Sequence, residues 1–393
     1  MIYLDNSATT PIDPEVLDAM LPYLKEEYGN PSSKYYTLAV NAEKAVEKAR
    51  EQVASLINAD TREIIFTGGA SETNNMIIKG VADYMKHYAE KGNHIITSTV
   101  EHKSVLQTCK FLNGDVFDNN PTKSVASKLL KKKNLIKKID RGFEVDFLSV
   151  NEYGQVNAND FKNAIKENTI LASFIYGNNE IGSLNDIVTL GKIAKDSNVL
   201  FHSDATQVLC KIDIDVKKLP VDFLSFSAHK IYGPKGVGAA FIRQEGLSNY
   251  KMTSLIHGGQ QESGYRAGTH AVHNIVGFGK ACEIAKIDMK EYMKRIAELE
   301  VEVKKMILAK YPGTEFLGDP NNKIPGVIGM LIPNIVNEMF IKNMAEEVAL
   351  SAGSACGISE PSYVITEINK NDFSSNFIRL TLNKYSNIKN III

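Results

Sequence analysis

A lysine closes one of the most apolar stretches of this chain. Val221 to Ser227 reads VDFLSFS, and Ala228, His229 and Lys230 follow before a Gly-Pro-Lys-Gly turn at 233–236. Burying an ammonium without a partner costs several kcal/mol, so a lysine here has either left the strand for water or is kept for its amine. Three other polar clusters also close apolar runs. In TGGASETNN, Gly68 and Gly69 follow EIIF, and Ala70, Ser71 and Glu72 open a helix. Bare amides at a helix N-terminus beside a serine hydroxyl suit a phosphate, although the same residues also make an ordinary turn and cap. Glu101 and His102 follow HIITSTV, and Asp204 and Gln207 follow VLFHS.

One cofactor chemistry uses all four clusters together. Pyridoxal phosphate needs a lysine amine for its aldehyde and a carboxylate that keeps its ring nitrogen protonated. It also needs an anion cup for its phosphate and a flat group against its ring. Lys230, Asp204, Ser71 with the Gly-Gly turn, and His102 supply those roles in that order. A nicotinamide dehydrogenase is excluded because no G-x-G-x-x-G follows the first strand.

The elements that must hold these groups are legible as alternation. EIIF, HIITS, FEVDFLSV, TILASFIY, VLFHS, VDFLSFS and VGAAFI alternate with helical patterns, and most are too continuously apolar for a half-exposed sheet. They predict an α/β fold: a large domain, residues 14–257, with a mostly parallel seven-stranded sheet covered by helices. Ligands of such sheets gather at the carboxyl ends of the strands. An amphipathic helix is predicted over Asn41–Ile57 and a long one over Ala271–Ala309. Residues 258–393, with 1–13 packed against them, read as a smaller α+β domain.

Composition bounds the rest. The 393 residues are 44% hydrophobic and 23% charged, with 45 Lys plus Arg against 46 Asp plus Glu, so no global field favours nucleic acid or acidic lipid. The start carries no signal-peptide pattern, and no run is long enough for a membrane span. Cys109, Cys210, Cys282 and Cys356 lack zinc-ligand or disulfide-scaffold spacing, which predicts no metal site and a reducing, cytoplasmic setting. Residues 111–141 form an insertion whose 128–141 part is basic. It reads as a dispensable surface segment, and as the one place where nucleic acid or an acidic partner could dock.

The chain resembles the cysteine desulfurases of the NifS/IscS type, within the class V aminotransferase-like, fold-type-I pyridoxal phosphate enzymes. The motifs run in order through nearly the whole chain: IYLDNSATTP, GNPSS, IIFTGGASETNN, TVEHKSV, GNNEIG, FHSDATQ, SFSAHKIYGPKGVGA, GGQQESGYRAGT, SAGSACG and EPSYV. The resemblance implies that Lys230 carries the cofactor, Asp204 holds its ring nitrogen, Gln207 its ring hydroxyl, and His102 stacks on the ring. Ala70, Ser71, Ser227 and His229, with Thr269 from the partner of a homodimer, would hold the phosphate. Asn178 would contact cofactor and substrate, and Arg379 would bind the substrate carboxylate. Cys356 would take the sulfur of L-cysteine as a persulfide and pass it to an acceptor protein, serving iron–sulfur assembly or thio-modification of tRNA or DNA. A free thiol titrates near 8.5, so a neighbouring proton acceptor is expected, with His102 the candidate. Selenocysteine lyase, another class V enzyme, and a non-catalytic sulfur-system subunit are the competing readings. The chain departs from the usual pattern at Tyr36, Ala39, Ser203 and Gln260, and in the short span from Cys356 to Pro361.

Overall fold

The computed structural model describes residues 1–115, 138–244, 252–353, 362–368 and 375–391. Cys356 and the middle of the basic insertion lie outside the described residues. The strands in chain order are β1 (Ile2–Tyr3), β2 (Ile64–Thr67), β3 (His94–Ser98), β4 (Glu144–Leu148), β5 (Thr169–Ile175), β6 (Leu200–Asp204), β7 (Phe223–Ser227), β8 (Gly238–Ile242), β9 (Glu315–Leu317), β10 (Val327–Leu331), β11 (Val348–Ala349) and β12 (Phe377–Thr381). The helices are α1 (Pro14–Lys25), α2 (Thr37–Leu56), α3 (Ala70–His87), α4 (Lys103–Leu112), α5 (Ala158–Ala164), α6 (Ile187–Asp196), α7 (Val272–Lys310), α8 (Asn337–Met344) and α9 (Tyr363–Glu367).

The seven apolar runs form one sheet of order β2-β8-β7-β6-β5-β3-β4, in which β8 alone is antiparallel to its neighbours. Each is buried along its whole length except β4, the charged edge strand. Successive side chains point to opposite faces, and the core divides accordingly. Ile64, Phe66, Phe174, Phe201, Leu224 and Phe241 meet α2 residues such as Val46 and Val53. Ile65, Leu171, Phe223 and Ile242 meet Met76, Ile77 and Val105 of α3 and α4. Helix α2 begins four residues before the predicted start, since Ala39 already packs at 0% exposure.

A second sheet, β12-β10-β9, and the short pair β1-β11 lie outside this layer. The 39 residues of α7 join the two regions. Its first half buries Ile275, Phe278 and Cys282 in the main core, and its second half buries Ile296, Leu299 and Val303 beside β10 and β12. The N-terminal segment also serves both. Leu4 belongs to the second core, while Thr10 N–H donates to the His229 carbonyl at 2.9 Å. None of the described helices is long and apolar enough to cross a membrane.

Candidate cofactor site

At the carboxyl edge of the large sheet, a cavity of about 430 Å³ is lined by Gly68, Gly69, Ala70, Ser71, His102, Asp204, Gln207, Ser227, His229, Lys230 and Arg379, among others. Residues predicted from separate strand ends therefore share one wall. Parallel topology is the cause, because β2, β3, β6 and β7 all deliver their following loops to the same edge.

At one end stands α3. Its N-cap is Gly69, which has φ +142° and no side-chain cap, while Glu72 turns back to accept from Gly68 N–H at 2.9 Å. A Cβ built on Gly238 would lie 2.7 Å from Gly69 Cα, so this entry to the helix is packed directly on β8. The first turn of this helix shares the cavity wall with Ser71, Ser227 and His229, a set of donors able to hold an anion. At the other end Asp204, only 3% exposed, accepts from Asn74 Nδ2 (2.8 Å) and Thr206 N–H (3.0 Å). Lys230 Nζ donates to the carbonyls of Ser7 (2.5 Å) and Ala8 (2.7 Å). Gln207 Nε2 also donates to Ser7 O at 2.9 Å. An amine, a hydrogen-bonded buried carboxylate and an uncapped helix N-terminus in one cavity are the donor set that pyridoxal phosphate requires, so the residues fit the group.

His102 is tied to the same network. Ser104 N–H donates to its Nδ1 at 3.2 Å, and Ser104 Oγ, itself receiving a proton from Asn74 Nδ2, lies 2.7 Å from that atom. Burial and the Lys230 and Lys103 charges outweigh Asp204 and draw its pKa below the ordinary value, so the ring is neutral. With Nδ1 accepting, the ring proton sits on Nε2. In that tautomer His102 carries its proton on the ring nitrogen that Ser104 does not occupy. His229, 3.1 Å from Thr9 Oγ1, is drawn down to about 4 by burial and by Lys230 and Lys235.

Asn178, expected at the cofactor, does not line the cavity. The Asn178 amide is buried in its own turn: Oδ1 accepts from Glu180 N–H (2.8 Å) and Ile181 N–H (3.1 Å), and Nδ2 reaches Val100 O at 3.4 Å. Asn179 forms the cavity wall instead, with an Oδ1 that is buried and has no partner among the described residues. In a tight turn adjacent side chains point apart, and the sequence pair Asn-Asn gives no clue to which one faces inward. Thr269 is exposed and does not line the cavity of its own chain. Its loop is fixed by Glu262, which accepts from Arg50 Nη1 and Nη2 (both 2.8 Å), Phe66 N–H (2.7 Å) and His270 Nε2 (2.5 Å).

Arg379, 1% exposed, donates Nη2 to Asp5 Oδ1 (2.6 Å) and Nη1 to Asn179 O (3.0 Å). Sequence reading missed Asp5, Ser7, Ala8, Asn74 and Asn179, because their roles depend on contacts hundreds of residues distant. It also missed the buried carboxylate of Glu180, and it named Glu101 without foreseeing its burial. Glu180 accepts from Ser362 Oγ, and a Cβ on Gly353 would stand 2.9 Å from Glu180 Oε2; this one side chain therefore touches both described ends of the stretch that contains Cys356. Glu101, at 0% exposure, accepts from Ser98 Oγ (2.6 Å) and Ile175 N–H (2.9 Å), and burial raises its pKa to about 8.

Glu101 yields a pH prediction. Between the ordinary 4.5 and about 8, the folded chain holds a proton that the unfolded chain has released. Its contribution is complete below pH 4.5 and is lost as pH rises toward 8, with a slope of at most about 1.4 kcal/mol per pH unit. Glu101→Gln imitates the protonated form. Its melting temperature should match the wild type near pH 5 and exceed it near pH 8, and parallel profiles for the two proteins would refute the assignment.

The family model described as aminotransferase class-V matches residues 2–138 and 124–392. The chain belongs to this family. It is 40% identical over 388 residues to the cysteine desulfurase IscS of Plasmodium falciparum, covering 98% of this chain and 65% of that protein. The cysteine desulfurase IscS of Methylococcus capsulatus is 39% identical over 396 residues, covering 99% and 89% respectively. A solved structure described as SspA in complex with cysteine superposes with a TM-score of 0.78 at 33% identity, covering 98% of this chain and all of that one.

Proposed function

We propose that this protein is a pyridoxal phosphate-dependent cysteine desulfurase that converts L-cysteine to L-alanine and leaves the sulfur on Cys356 as a persulfide for an acceptor protein. The carrying observation is that Lys230, Asp204, His102 and the N-terminus of α3 line a single cavity. Full-length similarity to cysteine desulfurases supports the choice of reaction.

When bound, pyridoxal phosphate withdraws electrons from the substrate's α-carbon, provided that its ring nitrogen stays protonated. Asp204 keeps that proton in place, its charge fixed by Asn74 and Thr206. Ser71, Ser227, His229 and the amides opening α3 hold the phosphate, and Gln207 orients the ring hydroxyl. Arg379, aligned by Asp5, takes the substrate carboxylate beside Asn179. Lys230 carries the α-proton on Nζ between the carbonyls of Ser7 and Ala8, and His102 offers its Nε2 proton. Cys356, as thiolate, attacks the substrate sulfur. The Cβ–S bond breaks and an S–S bond forms; the electron pair of the broken bond stays with carbon, which takes up a proton to become the methyl group of alanine.

The same reading makes the protein a homodimer in which Thr269 reaches the partner's phosphate site. It assigns residues 14–257 to cofactor holding and 1–13 with 258–393 to the smaller domain. Iron–sulfur assembly and thio-modification are the uses open to the sulfur. Holoprotein given L-cysteine without reductant should release about one alanine per active site and gain one sulfur on the Cys356 peptide. An absence of alanine from cofactor-loaded protein would overturn the proposal.

A further inference from the structure

A second cavity, of about 270 Å³, adjoins the cofactor cavity. Lys230 lines both cavities. The inner wall of the second is apolar, with Leu209, Ile231, Ala281, Ile284 and Leu382. Its size falls just below the roughly 300–1,000 Å³ of sites for drug-sized ligands, which restricts an occupant to a small molecule.

Two polar groups on this wall are incompletely satisfied. Lys211 is partly buried; among the described residues its one hydrogen bond is to Gln207 Oε1 at 3.3 Å, and it pairs with no carboxylate. Burial, with the positive charges of Lys230 and Arg379, outweighs the Cys210 thiol and pushes its pKa down to about 7. Asn6 is 2% exposed, and its Oδ1, an acceptor, has no hydrogen-bond partner among the described residues, so it calls for a donor such as a water held beside the anion. The other charged groups of the cavity are already engaged or at the exposed rim. Lys384 pairs with Asp13, while Asp288, Glu291 and Arg295 are exposed. A partly buried amine with no carboxylate partner among the described residues, set beside an apolar channel, is complementary to an anion carrying a short hydrocarbon body, whose charge would favour the protonated amine.

We propose that this second cavity binds a small amphipathic carboxylate, with its carboxylate on Lys211 and its alkyl chain along Leu209, Ile231, Ala281 and Ile284. The site is distinct from the substrate position at Arg379, and it touches the cofactor site through Lys230 and through the Lys211–Gln207 contact. Occupancy would therefore be felt by the cofactor.

Sodium hexanoate is the probe, titrated calorimetrically into cofactor-loaded protein, with hexan-1-ol as the uncharged control. Saturable hexanoate binding is expected, at least tenfold tighter than hexan-1-ol, together with a change in the visible absorbance of the cofactor. Lys211→Met should weaken hexanoate tenfold or more and leave hexan-1-ol unchanged. Ala285→Trp, which fills the cavity from α7, should abolish hexanoate binding in a protein of unchanged circular dichroism. No saturable binding to the wild type, or undiminished binding to either variant, would overturn the proposal. Hexanoate that still binds Ala285→Trp would be occupying the substrate site instead.

Discussion

Lys230→Ala is expected to purify without the yellow colour of the wild type and to release alanine from cysteine at a rate lower by roughly 10²–10⁴-fold, the usual contribution of a positioned proton carrier. Loss of the covalent attachment adds to that figure. The alternative is that Lys230 only ties the N-terminal segment down through Ser7 O and Ala8 O. Lys230→Arg separates the two, because a guanidinium can donate to both carbonyls but cannot join the cofactor's aldehyde. A structural lysine would give a yellow, active arginine variant. The present reading gives a colourless, inactive one whose melting temperature lies above that of Lys230→Ala. A tightly held cofactor also stabilises the fold, by about 2.7 kcal/mol when present at a hundred times its dissociation constant. Adding pyridoxal phosphate should therefore raise the melting temperature of the apo wild type much more than that of either variant.

Cys356→Ser should keep the colour and the spectral response to L-cysteine, yet lose alanine release by roughly 10³-fold or more, the scale on which removal of a nucleophile is felt. Serine is nearly isosteric with cysteine but cannot accept sulfur. The remaining cysteines do not replace it. Cys109, Cys210 and Cys282 are free and buried, and burial raises each thiol pKa, so the thiolate needed for attack is suppressed. Mass spectrometry of the peptides after incubation with cysteine should find the added sulfur on Cys356 alone. Undiminished alanine release, or sulfur confined to another cysteine, would refute the role. A selenocysteine lyase would release selenium without depending on this thiol, and an aminotransferase would be indifferent to it.

The sheet was legible because burial on both faces forces strands to be continuously apolar, and turns between them to be polar and glycine-rich. All seven runs became strands of one sheet, with only β4, whose run carries Glu144 and Asp146, left at a charged edge. The long helix was legible through its periodicity, and Lys230, Asp204, His102 and Gly69 stood out because each ends an apolar run. Local pattern thus determined the elements and the groups at their ends.

Tertiary structure decided what those groups touch. The N-terminal segment was read in sequence only as packing against the smaller domain, yet Ser7 and Ala8 cradle Lys230, more than 200 residues away. Asn74 joins Asp204 to Ser104, and Ser104 in turn fixes the proton of His102. The choice of Asn179 over Asn178, the carboxylate of Glu180 and the burial of Glu101 were equally invisible. Periodicity reports which face of an element is covered, because burial of apolar area repeats with the backbone. A hydrogen bond depends on a distance and an angle between two side chains, and neither is encoded until the chain has folded.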